Sequence, residues 1–341
     1  MTQPAASTEP VVAEVVRNGY VESRHRVDVV AIDGHTGLTT FAAGDHTTPV
    51  FVRSSAKPLQ TLGMLLAGWA PADDEQVALA CASHSGEDRH IEVVRRILAD
   101  AGLSPDDLDN TADLPLDVAA ARAWIRAGGG PDPLHQNCSG KHAAMLATCV
   151  ANGWPTVGYR DPEHPVQQAI RATVEELTGE RVAAVAVDGC GAPLFAMSLA
   201  GLASAFASIA IAGNDKATAA PTTGREPETT ADKQAALRRI ATAMTTYPEL
   251  VGGTGRDVTA LMRALPGLVA KDGAEGVYAA ATAAGDAVAL KVVDGAGRAR
   301  SPVMIAVLRK LGHDAPGFAA LETTPVLGHG EPVGEVRAVL P

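Results

Sequence analysis

The chain has 341 residues, of which 46% are hydrophobic, 20% charged and only 4% aromatic. That is enough apolar material for one large core or two modest ones, built from small, closely packed side chains. Its formal net charge of -11 repels phosphate backbones and anionic headgroups, and no basic run overrides it, which argues against nucleic-acid and membrane partners.

Taken in order, the opening MTQPAASTEP lacks the basic then apolar pattern of a secretory leader, so the expected compartment is the cytoplasm. Residues Val11 to Arg53 read as an antiparallel meander. Val27–Ile32 (VDVVAI) is a strongly apolar strand, Asp33–Gly37 a turn, and Leu38–Ala42 and Val50–Arg53 further strands. A helix is expected from Ser54 or Ser55, with Pro58 in its first turn and Leu59, Leu62, Leu65 and Leu66 at helical spacing. Another follows Ser85-Gly86-Glu87-Asp88, a capping-box pattern with Ser85 as the N-cap.

Beyond the Gly- and Pro-rich loop Gly128–Pro133, the pattern predicts a helix over Ser139–Ala151. A buried strand over Val182–Val187 then ends in the turn Asp188-Gly189-Cys190-Gly191. The uncharged run Gly189–Gly213 is long enough to span a bilayer. Its Gly-Cys-Gly-Ala-Pro opening and Ala, Gly and Ser content instead predict a buried helix from about Pro193. Asn214–Asp232 is polar and aperiodic, hence an exposed loop, and a helix follows at Lys233–Thr246. Strands at Gly276–Thr282 and Ala287–Val293, a helix at Pro302–Leu311 and a strand at Val333–Leu340 complete the chain.

Strands at both ends with helices between give the fold class α/β (α+β). An antiparallel sheet forms from N- and C-terminal strands, with packed helices and a helical insertion. The expected organisation is a single domain over residues 1–341, with a sheet part at about 11–60 and 265–341 and a largely helical part at about 61–264.

The chemistry begins at Ser54-Ser55-Ala56-Lys57, which reads as S-x-x-K at a helix start. Residues three apart share a face, so Lys57 can reach Ser54, whereas Ser55 points away. A serine hydroxyl becomes a good nucleophile when a base takes its proton, and a lysine serves if burial or a nearby cation depresses its pKa. Taken alone, the motif reads as a helix cap beside a solvated lysine. Ser83-His84-Ser85 at a helix entrance and Lys271-Asp272-Gly273 before a predicted strand add the order S-x-x-K, S-x-x, K-x-G. Serine β-lactamases, penicillin-binding proteins and serine-type glutaminases use that order. Ser83 and Lys271 would then form a second Ser-Lys pair, and His84 reads as an orienting histidine.

Cys138 and Lys141 open a predicted helix, where the macrodipole and free N-H groups favour a thiolate, and Cys190 lies in a Gly-flanked turn. Two thiolates could bind zinc with a third ligand. His142 and Lys141 compete for that position, and ordinary coordination chemistry favours His142, because lysine must first lose a proton.

The stretches Arg53–Gln60 (RSSAKPLQ), Ala82–Glu87 (ASHSGE), Asn137–His142 (NCSGKH) and Asp188–Gly191 (DGCG) resemble the rhizobial-type, class 3 L-asparaginases of the asparaginase II family. Their fold is similar to that of the serine β-lactamases and glutaminases. The resemblance implies L-asparagine as the substrate, Ser54 as nucleophile with Lys57, and a second tandem at Ser83 and Lys271. It also implies a homodimer and zinc held by Cys138, Cys190 and Lys141, which displaces His142 from the ligand set. Arg53, Asn137 and Asp188, with His84, are the candidates for substrate contact. A glutaminase or β-lactam-reactive relative, and a non-catalytic zinc-binding protein, remain the alternatives.

Overall fold

The computed structural model describes residues 9–214 and 228–341. Its strands are β1 (Val11–Arg17), β2 (Tyr20–Asp33), β3 (Thr39–Ala43), β4 (Val50–Phe51), β5 (Ala184–Val187), β6 (Pro193–Met197), β7 (Val269–Asp272), β8 (Val277–Ala281), β9 (Asp286–Val292), β10 (Thr323–Gly328) and β11 (Glu331–Val339). Its helices are α1 (Lys57–Leu66), α2 (Asp74–Ala80), α3 (Asp88–Asp100), α4 (Val118–Arg126), α5 (Ser139–Ala151), α6 (Pro165–Thr178), α7 (Leu199–Gly213), α8 (Glu228–Thr246), α9 (Pro248–Val251), α10 (Asp257–Ala264) and α11 (Arg300–Lys310). The chain divides into two units. The first holds the segments up to Ser55, Ala196–Ile211 and Ala260–Pro341, and the second holds Ala56–Phe195 with Ala212–Thr259.

The first unit is built on an antiparallel sheet in the order β10-β11-β1-β2-β9-β8-β7, with β3 also paired to β2. Strands from the two ends of the chain interleave, because β1 lies between β11 and β2 while β2 also pairs with β9. The 14-residue β2 makes this possible: its first half pairs with β1, and Val29 in its second half lies opposite both Ala43 and Leu290. Strand β8 is buried on both faces, and α11 packs on β9 and β11. Such double coverage explains why the central strands read as continuous apolar runs rather than alternating ones. Gly34, at the end of β2, allows α7 to approach, since a Cβ there would lie 2.6 Å from that of Ala207.

The second unit is helical. Helix α5 is buried from Ser139 to Cys149, and α1 packs on α6 and α5. Gly63 permits that closeness, because its Cβ would sit 2.8 Å from the Ile170 Cα.

Several expectations change. The predicted helix at Ser54 or Ser55 begins as a 3-10 turn, Arg53–Ala56, and becomes α-helical at Lys57. The N-cap of α3 is Glu87, in a reciprocal box with His90, rather than Ser85, whose Oγ donates to Gly252 O. The segment from Pro193 is a fully buried strand, β6, before it is a helix. Ser198 then accepts the Gly201 N-H and starts α7. The strand expected to be buried at Val182–Val187 is exposed over most of β5, with Val187 76% exposed. Lys271 lies inside β7, a strand not expected from the pattern, and still precedes the expected strand, β8; α8 begins at Glu228, ahead of Lys233. Most of the expected Asn214–Asp232 loop, positions 215–227, lies outside the described residues. Among the described residues no helix is long and apolar enough to cross a membrane.

Candidate active site

In the second unit the first residue of α1 is Lys57, 1% exposed. Its Nζ donates to Ala82 O and lies 3.1 Å from both Ser83 Oγ and Cys138 Sγ. Ala82 and Ser83 follow directly on Cys81, the C-cap of α2, and Ser83 N-H donates to Val251 O. The end of one helix therefore delivers a carbonyl and a hydroxyl to the start of another.

Cys138 is the N-cap of α5. Its N-H donates to Gln136 Oε1 at 3.0 Å, and its Sγ lies 3.2 Å from Asn137 Oδ1. His84 is fully buried: Nε2 meets Ser139 Oγ at 2.8 Å, and Nδ1 accepts the Gly86 N-H at 3.1 Å. Because Nδ1 accepts, the ring is the neutral Nε2-H tautomer, and burial accordingly holds its pKa well below the usual histidine value.

Lys141 Nζ reaches Cys190 Sγ at 3.5 Å, and both cysteines are buried. The neighbouring Cys138, with Lys141 close by, pulls the Cys190 thiol down to about 5. The neighbouring Cys190, with burial, pushes the Cys138 thiol up to about 12. Asp188 lies in the same turn, with Oδ2 4.0 Å from Cys190 Sγ. Lys57, Ser83, His84, Asn137, Cys138, Lys141, Asp188 and Cys190 are thus gathered in one unit.

Arg53, Ser54 and Lys271 belong to the other unit. Arg53 has φ 51°, a left-handed conformation that non-glycine residues rarely adopt, immediately before Ser54. Ser54 is half-buried. Ser55 is fully buried, and its Oγ donates to Lys271 O at 3.1 Å. Lys271 Nζ is 2.6 Å from Asp272 Oδ1, while Arg300 Nη1 stands 3.5 Å from Asp272 Oδ2 and donates to Gly273 O at 2.9 Å. The lysine expected to work with Ser83 is therefore held in a buried ion cluster.

The L-asparaginase II family model matches residues 13–338. The chain belongs to the L-asparaginase II family. Solved structures with a similar trace include Mglu in its glutamate form, with 14% identity and a TM-score of 0.47, the match covering 84% of this chain and 61% of that one. Mglu in its native form matches with 14% identity and a TM-score of 0.43, covering 84% of this chain and 63% of that one. The chain thus spans less than two thirds of the length of these proteins. A comparison with curated protein sequences finds no match.

For a member of the L-asparaginase II family, the donors at the two cysteines suit the zinc that the resemblance implies. A tetrahedral zinc with ordinary Zn-S and Zn-N bonds would separate sulfur and nitrogen by about 3.5 Å, and Lys141 Nζ lies 3.5 Å from Cys190 Sγ. Among the described residues no group of three His, Cys, Asp or Glu side chains converges. His142 Nδ1 is engaged with Tyr159 OH at 2.8 Å, and its Nε2 is buried without a hydrogen-bond partner.

Sequence reasoning missed Asp272 and Arg300 around Lys271, Gln136 on the Cys138 amide and Ser139 beside His84. Asp272 was in view within Lys271-Asp272-Gly273, and adjacency to a buried lysine is the signal that could have found it. The contact between Lys57 and Cys138 joins two motifs that no spacing rule connects.

Proposed function

We propose that this L-asparaginase II family chain hydrolyses L-asparagine to L-aspartate and ammonia, with Ser54 as nucleophile and Lys57 as its base. The family match across residues 13–338 carries the substrate class. Three residues, the spacing of one turn, separate Ser54 from Lys57. The Ser54 hydroxyl attacks the side-chain amide carbon as its proton passes to Lys57 Nζ, and N-H groups at the start of the helix receive the oxyanion. Collapse breaks the C-N bond, the departing nitrogen takes the proton and leaves as ammonia, and water hydrolyses the β-aspartyl ester.

Ser83, 3.1 Å from Lys57 Nζ, relays protons to that amine, and Lys271 joins it as the second tandem on the resemblance alone. Arg53, Asn137, Asp188 and His84 flank the substrate. Cys138, Lys141 and Cys190 would hold zinc, which when bound supplies positive charge that orients the substrate's charged groups. The proposed compartment is the cytoplasm. The resemblance adds a homodimer, which light scattering would test.

One observation favours a second reading. The serine hydrogen-bonded to Lys57 is Ser83, so Ser83 could itself be the nucleophile. Ammonia release from asparagine and glutamine, and ring opening of a chromogenic β-lactam followed by absorbance, separate the substrate classes, with and without a chelator. Asparagine is expected to be turned over fastest. Faster glutamine turnover would reassign the substrate, and bound zinc without ammonia would identify a binding protein.

A further inference from the structure

The two cysteine turns come from distant parts of the chain, and a third segment joins them within the same unit. Asn110, 4% exposed, donates from Nδ2 to Pro133 O at 2.7 Å and to Gln136 Oε1 at 3.1 Å. That same Gln136 oxygen accepts the Cys138 N-H at 3.0 Å. Asn110 is therefore two hydrogen bonds from the backbone of one cysteine.

Its neighbours hold the other. Thr111 Oγ1 donates to Gly189 O at 2.9 Å. The Asp109 carboxylate accepts Arg160 Nε at 2.7 Å and Nη2 at 2.6 Å, while Arg160 Nη1 donates to Gly191 O at 3.4 Å. Gly189 O lies in the peptide plane before Cys190, and in the plane after it the Gly191 N-H donates to Asp188 O at 2.8 Å, so both planes that aim the Cys190 side chain are held, with Arg160 on the carbonyl one residue further on. The guanidinium also covers Gly191, whose φ is +87° and whose Cβ would lie 2.2 Å from Nη1.

We propose that Asp109-Asn110-Thr111 is a positioning clip that sets the separation of the Cys138 and Cys190 sulfurs, and through it the affinity of the site for a soft divalent metal. The metal half rests on the zinc reading above, whereas the sulfur spacing does not. Asp109 and Thr111 are exposed, and an exposed ion pair contributes little to folding. Their effect should therefore appear at the thiols rather than in global stability.

The full chain carrying Thr111→Val, Thr111→Ser or Asp109→Asn tests this with two probes. One is zinc affinity, by competition with a chromogenic chelator. The other is a trivalent phenylarsenical, which bridges two thiols only when they are correctly spaced, forming two S-As bonds as water leaves. Thr111→Val and Asp109→Asn are expected to weaken both by about 10-fold, the scale of an outer-shell loss, with melting temperature unchanged and Thr111→Ser close to wild type. Wild-type behaviour of Thr111→Val and Asp109→Asn, or losses that only follow a fall in melting temperature, would overturn the clip. If the wild type captures the arsenical but no zinc, the metal reading fails, and the arsenical results alone decide for or against the clip.

Discussion

Two of the buried lysines, Lys57 in the second unit and Lys271 in the first, sit in contrasting surroundings. Lys271 is fully buried with a carboxylate at 2.6 Å and Arg300 on the far side of that carboxylate, so its charge is balanced where it stands. Lys57 is equally buried, but its hydrogen bonds go to a carbonyl, a hydroxyl and a sulfur, none of them a carboxylate. A lysine locked in an ion pair is suited to holding structure and field. One surrounded by a hydroxyl and a thiol is suited to exchanging protons. The comparison separates two residues that the motif order alone treats as equivalent.

The largest expected effect comes from Lys57. Lys57→Met keeps the buried stem and removes the amine, and kcat/KM for asparagine should fall about 100- to 10,000-fold, the range of a general base, with circular dichroism unchanged. Near-normal activity would place the base elsewhere. Asp272→Asn leaves Lys271 and Arg300 facing each other without their anion, and urea unfolding should register a loss of about 3–5 kcal/mol. A variant as stable as wild type would break the contrast between the two lysines.

A smaller effect is expected at Gly273, where an added Cβ would lie 2.8 Å from Val52 O and 3.0 Å from Ser55 Oγ. Gly273→Ala should cost about 1–3 kcal/mol and lower activity, because the displaced turn carries Ser54. Zinc content should stay the same. A comparable effect concerns pH in the second unit. Burial lowers the pKa of both His84 and His90, so the native state keeps them neutral while the unfolded chain binds protons below about pH 6.5. Stability should therefore be flat above that value and fall as pH drops through it, by up to about 1.4 kcal/mol per pH unit for each histidine. Urea midpoints between pH 7.5 and 5.5 check the sign, and stability rising on acidification would contradict it.

Much of the architecture was legible in the sequence, because regular elements with strong patterns declare themselves. VDVVAI lies within β2, Ser139–Ala151 is α5, and the antiparallel sheet does draw on both ends of the chain. The failures have physical causes. An all-apolar tetrapeptide such as β5 looks the same whether covered or exposed, and burial depends on what packs against it. Pro193–Met197 carries strand-forming residues, but Ala-rich sequence after it masked the change of element. Glu87 displaced Ser85 as the cap because the fold gave Ser85 a partner at Gly252, far away in the chain.

At the site, the sequence named the motifs but not their wiring. The left-handed Arg53 has no signature in composition. The pairing of Lys57 with Cys138, and of Ser55 with the Lys271 carbonyl, arises only when distant segments meet.

The most direct measurement of the central claim is a rapid quench of the enzyme with L-asparagine, followed by intact-mass and peptide analysis. The account predicts an adduct of one aspartyl group on Ser54, absent from Lys57→Met. An adduct on Ser83, or steady ammonia release from asparagine with no serine ester at any time point, would contradict it.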